Sequence, residues 1–300
     1  MDILKKYEVI IIGGSYSGLS AAMSLGRALR NVLIIDSSDA CNKQTPHSHN
    51  FITQDGNKPA EISERAKKQV LNYSTIEFLN DLVVSIDKKE NFIIKTSNEI
   101  FEAEYLILAT GVKDIMPNIP GFSECWGISV IHCPYCHGYE VKEQKTGIIG
   151  NGDLAFHYSK LLTNLTKELV IFTNGKASFT KEQEAKLAKY NVEIIETEIE
   201  EIVHQNGQID YLKFKDETKY SIPVIYASFG ITQKTDFAEK LGCEMTDKGL
   251  IKVDATQKTT IEKIFACGDN SSPFRSVANA VSSGNIAGML LNNTIIENNF

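Results

Sequence analysis

Two stretches of the chain, each running strand, glycine turn, small-residue helix and second strand, predict an α/β fold with two nucleotide-type domains. Residues 8–12 (Glu8-Val9-Ile10-Ile11-Ile12) form a β-branched run closed by Gly13-Gly14, the pattern of a strand buried on both faces of a parallel sheet. Residues 17–30 carry helical periodicity, with Gly18, Ala21 and Ala22 early and Arg27 and Arg30 late, where a helix dipole favours cations. Residues 32–36 are the next strand. The second unit opens with a strand over 146–149, turns at Gly150-Asn151-Gly152, continues as a helix over 154–165 and closes with a strand over 168–172. Between the units, residues 105–111 read as a buried strand ending in Ala109-Thr110-Gly111, and a proline-marked linker follows over 116–121. Further apolar strands fall at 224–230 and 264–269, and residues 277–291 (VANAVSSGNIAGMLL) read as a helix whose small residues permit close packing.

Composition narrows the function classes. A chain of 300 residues has room for two domains, and 42% hydrophobic with 23% charged residues is the make-up of a soluble globular protein. The 31 Lys+Arg against 38 Asp+Glu, a formal charge of −7, argue against nucleic acid as a partner. No apolar run approaches the roughly 18–20 residues of a membrane span. The first residues place two lysines before a short apolar run, then glycines where a signal peptide needs a longer apolar core and a cleavage site. The expectation is a cytoplasmic protein with no membrane partner.

The first glycine turn, Gly13-Gly14-Ser15-Tyr16-Ser17-Gly18, follows the G-x-G-x-x-G dinucleotide pattern except that Ser15 holds the middle position. Asp36, about 20 residues on at the end of the second strand, suits a ribose hydroxyl. The second turn, Gly150-Asn151-Gly152-Asp153-Leu154-Ala155, matches G-x-G-x-x-A in full. Its second strand ends in Thr173-Asn174-Gly175-Lys176, with neither the acid of an NAD site nor the arginine of an NADP site. That domain is therefore either a weak pyridine nucleotide site, with Gly150, Gly152 and Ala155 at the pyrophosphate, or a purely structural unit.

Six cysteines in a cytoplasmic chain do not make a disulfide scaffold, which turns attention to the pair in Ile131-His132-Cys133-Pro134-Tyr135-Cys136-His137-Gly138-Tyr139-Glu140. A c-type haem would need export. A zinc site would need a second ligand pair at regular spacing, so no metal is expected. A glutaredoxin centre would lie near the start of its fold. A redox disulfide serving a flavin uses the flanking dinucleotide domains, and a structural pair of buried thiols is the remaining alternative. His137 adds a group able to move a proton near neutral pH.

These residues resemble the low-molecular-weight thioredoxin reductases, FAD-dependent enzymes among the pyridine nucleotide-disulfide oxidoreductases. The resemblance spans nearly the whole chain and is carried by ordered motifs: the Gly13–Gly18 turn, Ala109-Thr110-Gly111, Cys133–Cys136, Gly150–Ala155, and Cys267-Gly268-Asp269 followed by Arg275. GGSYSGLSAA, TPHSHNF and CPYCHGYE are similar to a subgroup that includes the dithiol oxidases of gliotoxin- and holomycin-like products. The resemblance implies two Rossmann-like three-layer domains, the second inserted into the first. The FAD-binding domain would comprise residues 1–116 and 232–300, and an NAD(P)H-type domain carrying the CPYC centre would comprise 117–231. The linker after Gly111 and the strand end near Gly230 would be the hinges.

Family roles then carry over by position. Cys136 would be the sulfur nearest the flavin and Cys133 the one that exchanges with substrate. Gly13, Gly14, Ser15, Ser17, Gly18 and Asp36 would line the FAD site with Ala109, Thr110 and Gly111. Gly268 and Asp269 would bind its ribityl–phosphate region, Arg275, Ser276 and Val277 would lie by the isoalloxazine, and Asn50 corresponds to an asparagine near the flavin. The resemblance implies a homodimer that passes electrons from NADPH or NADH through FAD and the Cys133–Cys136 disulfide to a protein disulfide such as thioredoxin. His137 stands where these reductases have an acid, Ser276 where they have glutamine, and Thr173–Lys176 replace an arginine-rich NADPH motif. Those departures keep other readings open: an oxygen-dependent oxidase of a small dithiol, a disulfide reductase fed by ferredoxin or a second flavin, or a non-enzymatic flavoprotein redox sensor.

Overall fold

The structure is a computed structural model that describes residues 4–300. Its first sheet is built on the strand Lys5–Ile12, flanked by the parallel strands Val32–Asp36 and Ile100–Leu108, with Ile76–Asn80 beyond the former. Ile100–Leu108 is long enough to hold two neighbours on its other side. Its first half pairs antiparallel with Phe92–Thr96, and Val83–Lys88 lies beyond that strand. Its last three residues pair parallel with Ile264–Ala266, delivered from the far end of the chain.

Side chains alternate across the central strand as period-two geometry requires. Ile10 and Ile12 enter one apolar layer with Leu33, Leu106, Phe237 and Ile264. Val9 and Ile11 enter the opposite layer with Leu19, Leu25, Phe265 and Leu291. Full burial of such a side chain stabilises by about 1.5–3 kcal/mol, so a strand buried on both faces anchors both layers at once.

Between the strands of that sheet the chain inserts a second one. All five of its strands are parallel, in the spatial order Glu193–Ile195, Leu169–Phe172, Thr146–Ile149, Val224–Ala227, Val130–Ile131. An antiparallel meander, Ile199–Gln205, Gln208–Phe214 and Lys219–Tyr220, packs beside it and shares its core through Phe172, Ile202 and Leu212. A two-stranded ribbon joins the two bodies, Val112–Asp114 running antiparallel to Ile231–Gln233. The fold is thus the expected α/β pair of Rossmann-like domains, the second inserted into the first.

Element ends depart from expectation in informative ways. The first helix is Tyr16–Arg27, three residues shorter at its end, because Leu29 takes a left-handed conformation. The helix of the second unit is Gly152–Leu162, and the last helix runs on from Val277 to Asn299. That extension is carried by Leu291 and Ile295, whose burial continues the small-residue stripe through an otherwise polar end.

Candidate active site

Helix Tyr16–Arg27 begins at Ser15, which has extended backbone and no side-chain cap, and its first turn contains no acidic residue. The first bond returning into the turn is Leu19 N–H to Ser15 C=O at 2.9 Å. The earlier amides, with the positive end of the dipole, are left for an anion. Gly14 N–H donates to Asp36 Oδ1 at 2.9 Å and Ser38 N–H to Asp36 Oδ2 at 3.3 Å, so Asp36 braces the turn while keeping acceptor capacity for a ribose. Two glycines make the close approach possible. A Cβ on Gly18 would stand 1.8 Å from Gly13 O, and one on Gly284 would stand 2.1 Å from Ser17 O.

The segment after Leu108 faces this turn from the neighbouring strand, and a Cβ on Gly111 would meet nothing within 4 Å, so the space beside it is open. Asn270 donates to Leu108 O at 2.9 Å and to Thr110 Oγ1 at 3.2 Å, while its own buried Oδ1 has no partner among the described residues. Gly268 N–H donates to Ser283 Oγ at 3.0 Å. Ser276 caps the last helix, its Oγ accepting from Asn279 N–H at 3.1 Å, and Val277 packs with Tyr16, Ile62 and Ala280.

Arg275 is the hub of the opposite wall. Its Nη1 lies 2.6 Å from Asp114 Oδ1 on the ribbon, and its Nε lies 3.3 Å from Asp269 Oδ2. Burial pushes the Asp269 carboxyl above the usual carboxylate range, and Arg275 pulls against that shift. Cys41 opens to solvent in the same recess, near Asp269, Arg275 and Asp114, and desolvation first and Asp269 second raise its thiol pKa. Cys267 is wholly buried, which pushes its thiol up to about 12 and leaves it inert. Asn50 is exposed on the 41–57 loop, where its amide donates to Asp55 Oδ1 at 2.7 Å.

The cysteine pair sits where strand Val130–Ile131 ends. Cys133 and Cys136 are joined in a disulfide, and Cys133 Sγ accepts from Cys136 N–H at 3.1 Å. The helix that follows, Pro134–His137, is a single turn, so its dipole at the cysteines is small. Two histidines, His132 and His137, flank the pair in the sequence. Burial and the nearby His49 hold His137 below the ordinary histidine range. His132 was missed as a site residue in the sequence, although it directly precedes Cys133. It stacks on Trp126 with ring centroids 5.4 Å apart, and its carbonyl accepts from Tyr158 Oη at 2.8 Å. Burial, then the Arg275 charge, lowers its pKa to about 4.

His132 therefore lies within the field of the Arg275 and Asp114 charges. The 41–57 loop reaches the inserted domain from the first one. Gln44 Nε2 donates to Ser123 O and Glu124 O at 2.9 and 3.1 Å, and His49 Nδ1 lies 3.5 Å from Glu140 Oε1. The residues of the second turn, Gly150, Gly152 and Ala155, lie at the N-terminal end of helix Gly152–Leu162, on the same carboxyl edge of the inserted parallel sheet as the cysteine pair.

An open glycine turn, a second nucleotide-type domain and a cysteine pair between them define a class of protein, and comparison with known proteins agrees. Residues 7–284 match the family described as pyridine nucleotide-disulphide oxidoreductase, and the chain belongs to it. It is 30% identical to thioredoxin reductase tcpT of Claviceps purpurea over 96% of this chain and 94% of that protein. Among solved structures, a putative thioredoxin reductase, TrxB, from Bacillus anthracis is 31% identical with a TM-score of 0.94, covering 98% of this chain and 100% of that one. An oxidoreductase from Agrobacterium tumefaciens is 38% identical with a TM-score of 0.91, covering 97% and 99%. The chain is accordingly a thioredoxin reductase-like oxidoreductase, of a family that in general uses a flavin and a pyridine nucleotide.

Proposed function

We propose that the protein is an FAD-dependent thiol–disulfide oxidoreductase whose Cys133–Cys136 pair exchanges electrons with the thiol pair of a thioredoxin-like protein or a small dithiol. The observation that carries this is the disulfide itself. It is held between two histidines kept uncharged by burial, and one of these lies in the field of the Arg275–Asp114–Asp269 wall.

FAD, when bound, would supply a two-electron store for exchange with the sulfurs. Gly13, Gly14, Ser15, Ser17 and Gly18 would hold its pyrophosphate, Asp36 its ribose, and Asp269 with Gly268 its ribityl–phosphate chain. Arg275, Ser276, Val277, Asn50 and the Ala109–Gly111 turn would border the ring. The domain division at residues 1–116 with 232–300 and at 117–231 belongs to the same proposal, its hinges being the Val112–Asp114 and Ile231–Gln233 ribbon. The protein would work in the cytoplasm as a homodimer.

In the exchange, a substrate thiolate attacks Cys133 Sγ and Cys136 leaves as thiolate. The second substrate thiolate then attacks the substrate sulfur of the mixed disulfide and Cys133 leaves. The reverse sequence reduces a substrate disulfide. A dithiol gives up two protons on the way, and an uncharged imidazole accepts one where an imidazolium cannot. A second reading, in which a substrate dithiol is oxidised, is favoured by Thr173–Lys176, where the second nucleotide-type unit lacks both the acid and the arginine of a pyridine nucleotide site.

A Cys136→Ser variant tests the assignment. It is expected to retain FAD and lose turnover with dithiol and disulfide substrates alike, and turnover at the parent rate would refute it.

A further inference from the structure

The two glycine turns share a sequence pattern and differ in what stands above them. The first has an uncapped helix with no acid in its first turn. The second is filled by its own chain. Asn151 Oδ1 accepts from Gly152 N–H at 2.9 Å, Ser178 N–H at 2.8 Å and Ser178 Oγ at 3.0 Å, while Asn151 Nδ2 donates to Lys176 O at 2.8 Å. A side-chain oxygen collecting three donors at the head of a helix occupies the role that a phosphate oxygen plays in a dinucleotide turn.

Ser178 Oγ lies 3.1 Å from where a Cβ on Gly152 would stand, so the 176–178 segment presses directly on the head of the turn. The segment is also tied from behind, with Ala177 N–H donating to Glu196 Oε1 at 2.7 Å and Gly175 N–H to Glu196 O at 2.9 Å. Asp153 adds a carboxylate to the first turn of the helix, where Gln183 Nε2 donates to it at 2.7 Å. A pyrophosphate would have to break four hydrogen bonds of Asn151 and then lie beside that carboxylate.

We infer that the Gly150–Ala155 turn is closed to NADPH and NADH, its pyrophosphate place being taken by Asn151 and the 176–178 segment. The inserted domain then serves to present the cysteine pair. Its helix Gly152–Leu162 still supplies Tyr158, which fixes the His132 carbonyl. This inference concerns nucleotide binding alone, and it bears on catalysis only through the flavin–disulfide reading, in which it leaves the substrate thiols as the source of electrons.

Calorimetric titration of the FAD-loaded, oxidised protein with NADP⁺, NAD⁺ and ADP-ribose tests it without any turnover. The parent protein is expected to show no saturable heat up to about 1 mM. Asn151→Gly/Ser178→Gly, and Ser178→Gly alone in case the lost cap unfolds the helix, should bind at least about tenfold more tightly. Saturation of the parent protein in the micromolar range would overturn the inference, as would opened variants that bind no better. Flavin bleaching by a small dithiol, read on the same sample, reports separately on the flavin–disulfide reading.

Discussion

His132 and His137 bracket the disulfide, yet they entered the account by different routes. His137 was legible because it occupies a motif position where related reductases carry an acid. His132 was equally visible in Ile131-His132-Cys133, but its meaning depends on the Trp126 ring stacked on it and on the charge of Arg275, and neither follows a sequence period. The same holds for the 174–178 segment. It read as a missing charge in a nucleotide site, whereas its backbone and Ser178 hydroxyl fill the turn.

The buried imidazole gives a prediction with a definite sign. His132 titrates at about 4 in the folded protein against 6.5 ordinarily, so the unfolded chain takes up the proton first as pH falls. Stability is therefore undiminished by this group above pH 6.5 and is lost progressively down to about pH 4. The loss amounts to about 3 kcal/mol at most. Replacing His132 with Gln should flatten that part of the acid decline, measured as urea midpoints across the same range. An unchanged decline would show that the ring is not buried uncharged.

At the scale of elements, the strands legible in the sequence were those with both faces buried, such as Val32–Asp36, Thr146–Ile149 and Val224–Ala227, whereas half-exposed ones such as Val83–Lys88 and Gln208–Phe214 were not. Their pairing order was not legible from composition. Ile264–Ala266 joins Ile100–Leu108 across more than half the chain, and only motif order suggested it. The last helix shows what periodicity overlooks. Gly284 and Gly288 let it press onto Tyr16–Arg27, with Ser20 Oγ donating to Val281 O at 2.7 Å. A Gly284→Val substitution drives a side chain against Ser17 O, which a Cβ alone would approach to 2.1 Å. We expect a loss of about 1–3 kcal/mol in stability, with weaker FAD retention, because the same contact shapes the first turn. Thermal midpoint and flavin content check the two effects separately.

Across the whole molecule, a short ribbon joins the two bodies, and a buried ion pair ties that ribbon to the first of them. Arg275 and Asp114 have side-chain exposures of 17% and 11%, low enough that losing one partner strands the other. Arg275→Met should cost about 3–5 kcal/mol, and Arg275→Met/Asp114→Leu should recover only part of it, because Asp269 stays buried without its cation. Denaturant unfolding of the two variants checks this, and equal losses would mean that the pair does not act as a unit. Gln44 and His49 add contacts from the first domain's loop to the second, so the bodies are held together on the side where the disulfide lies.

The central claim is that electrons cross between flavin and substrate through Cys133 and Cys136. Its most direct test is an anaerobic titration of the FAD-loaded protein with a small dithiol, following the visible absorption of the flavin. The parent protein should bleach fully within two equivalents of dithiol per flavin, since flavin and disulfide each take two electrons, while Cys133→Ser and Cys136→Ser should stay oxidised. Bleaching of both variants at the parent rate, or none in the parent protein, would contradict the account.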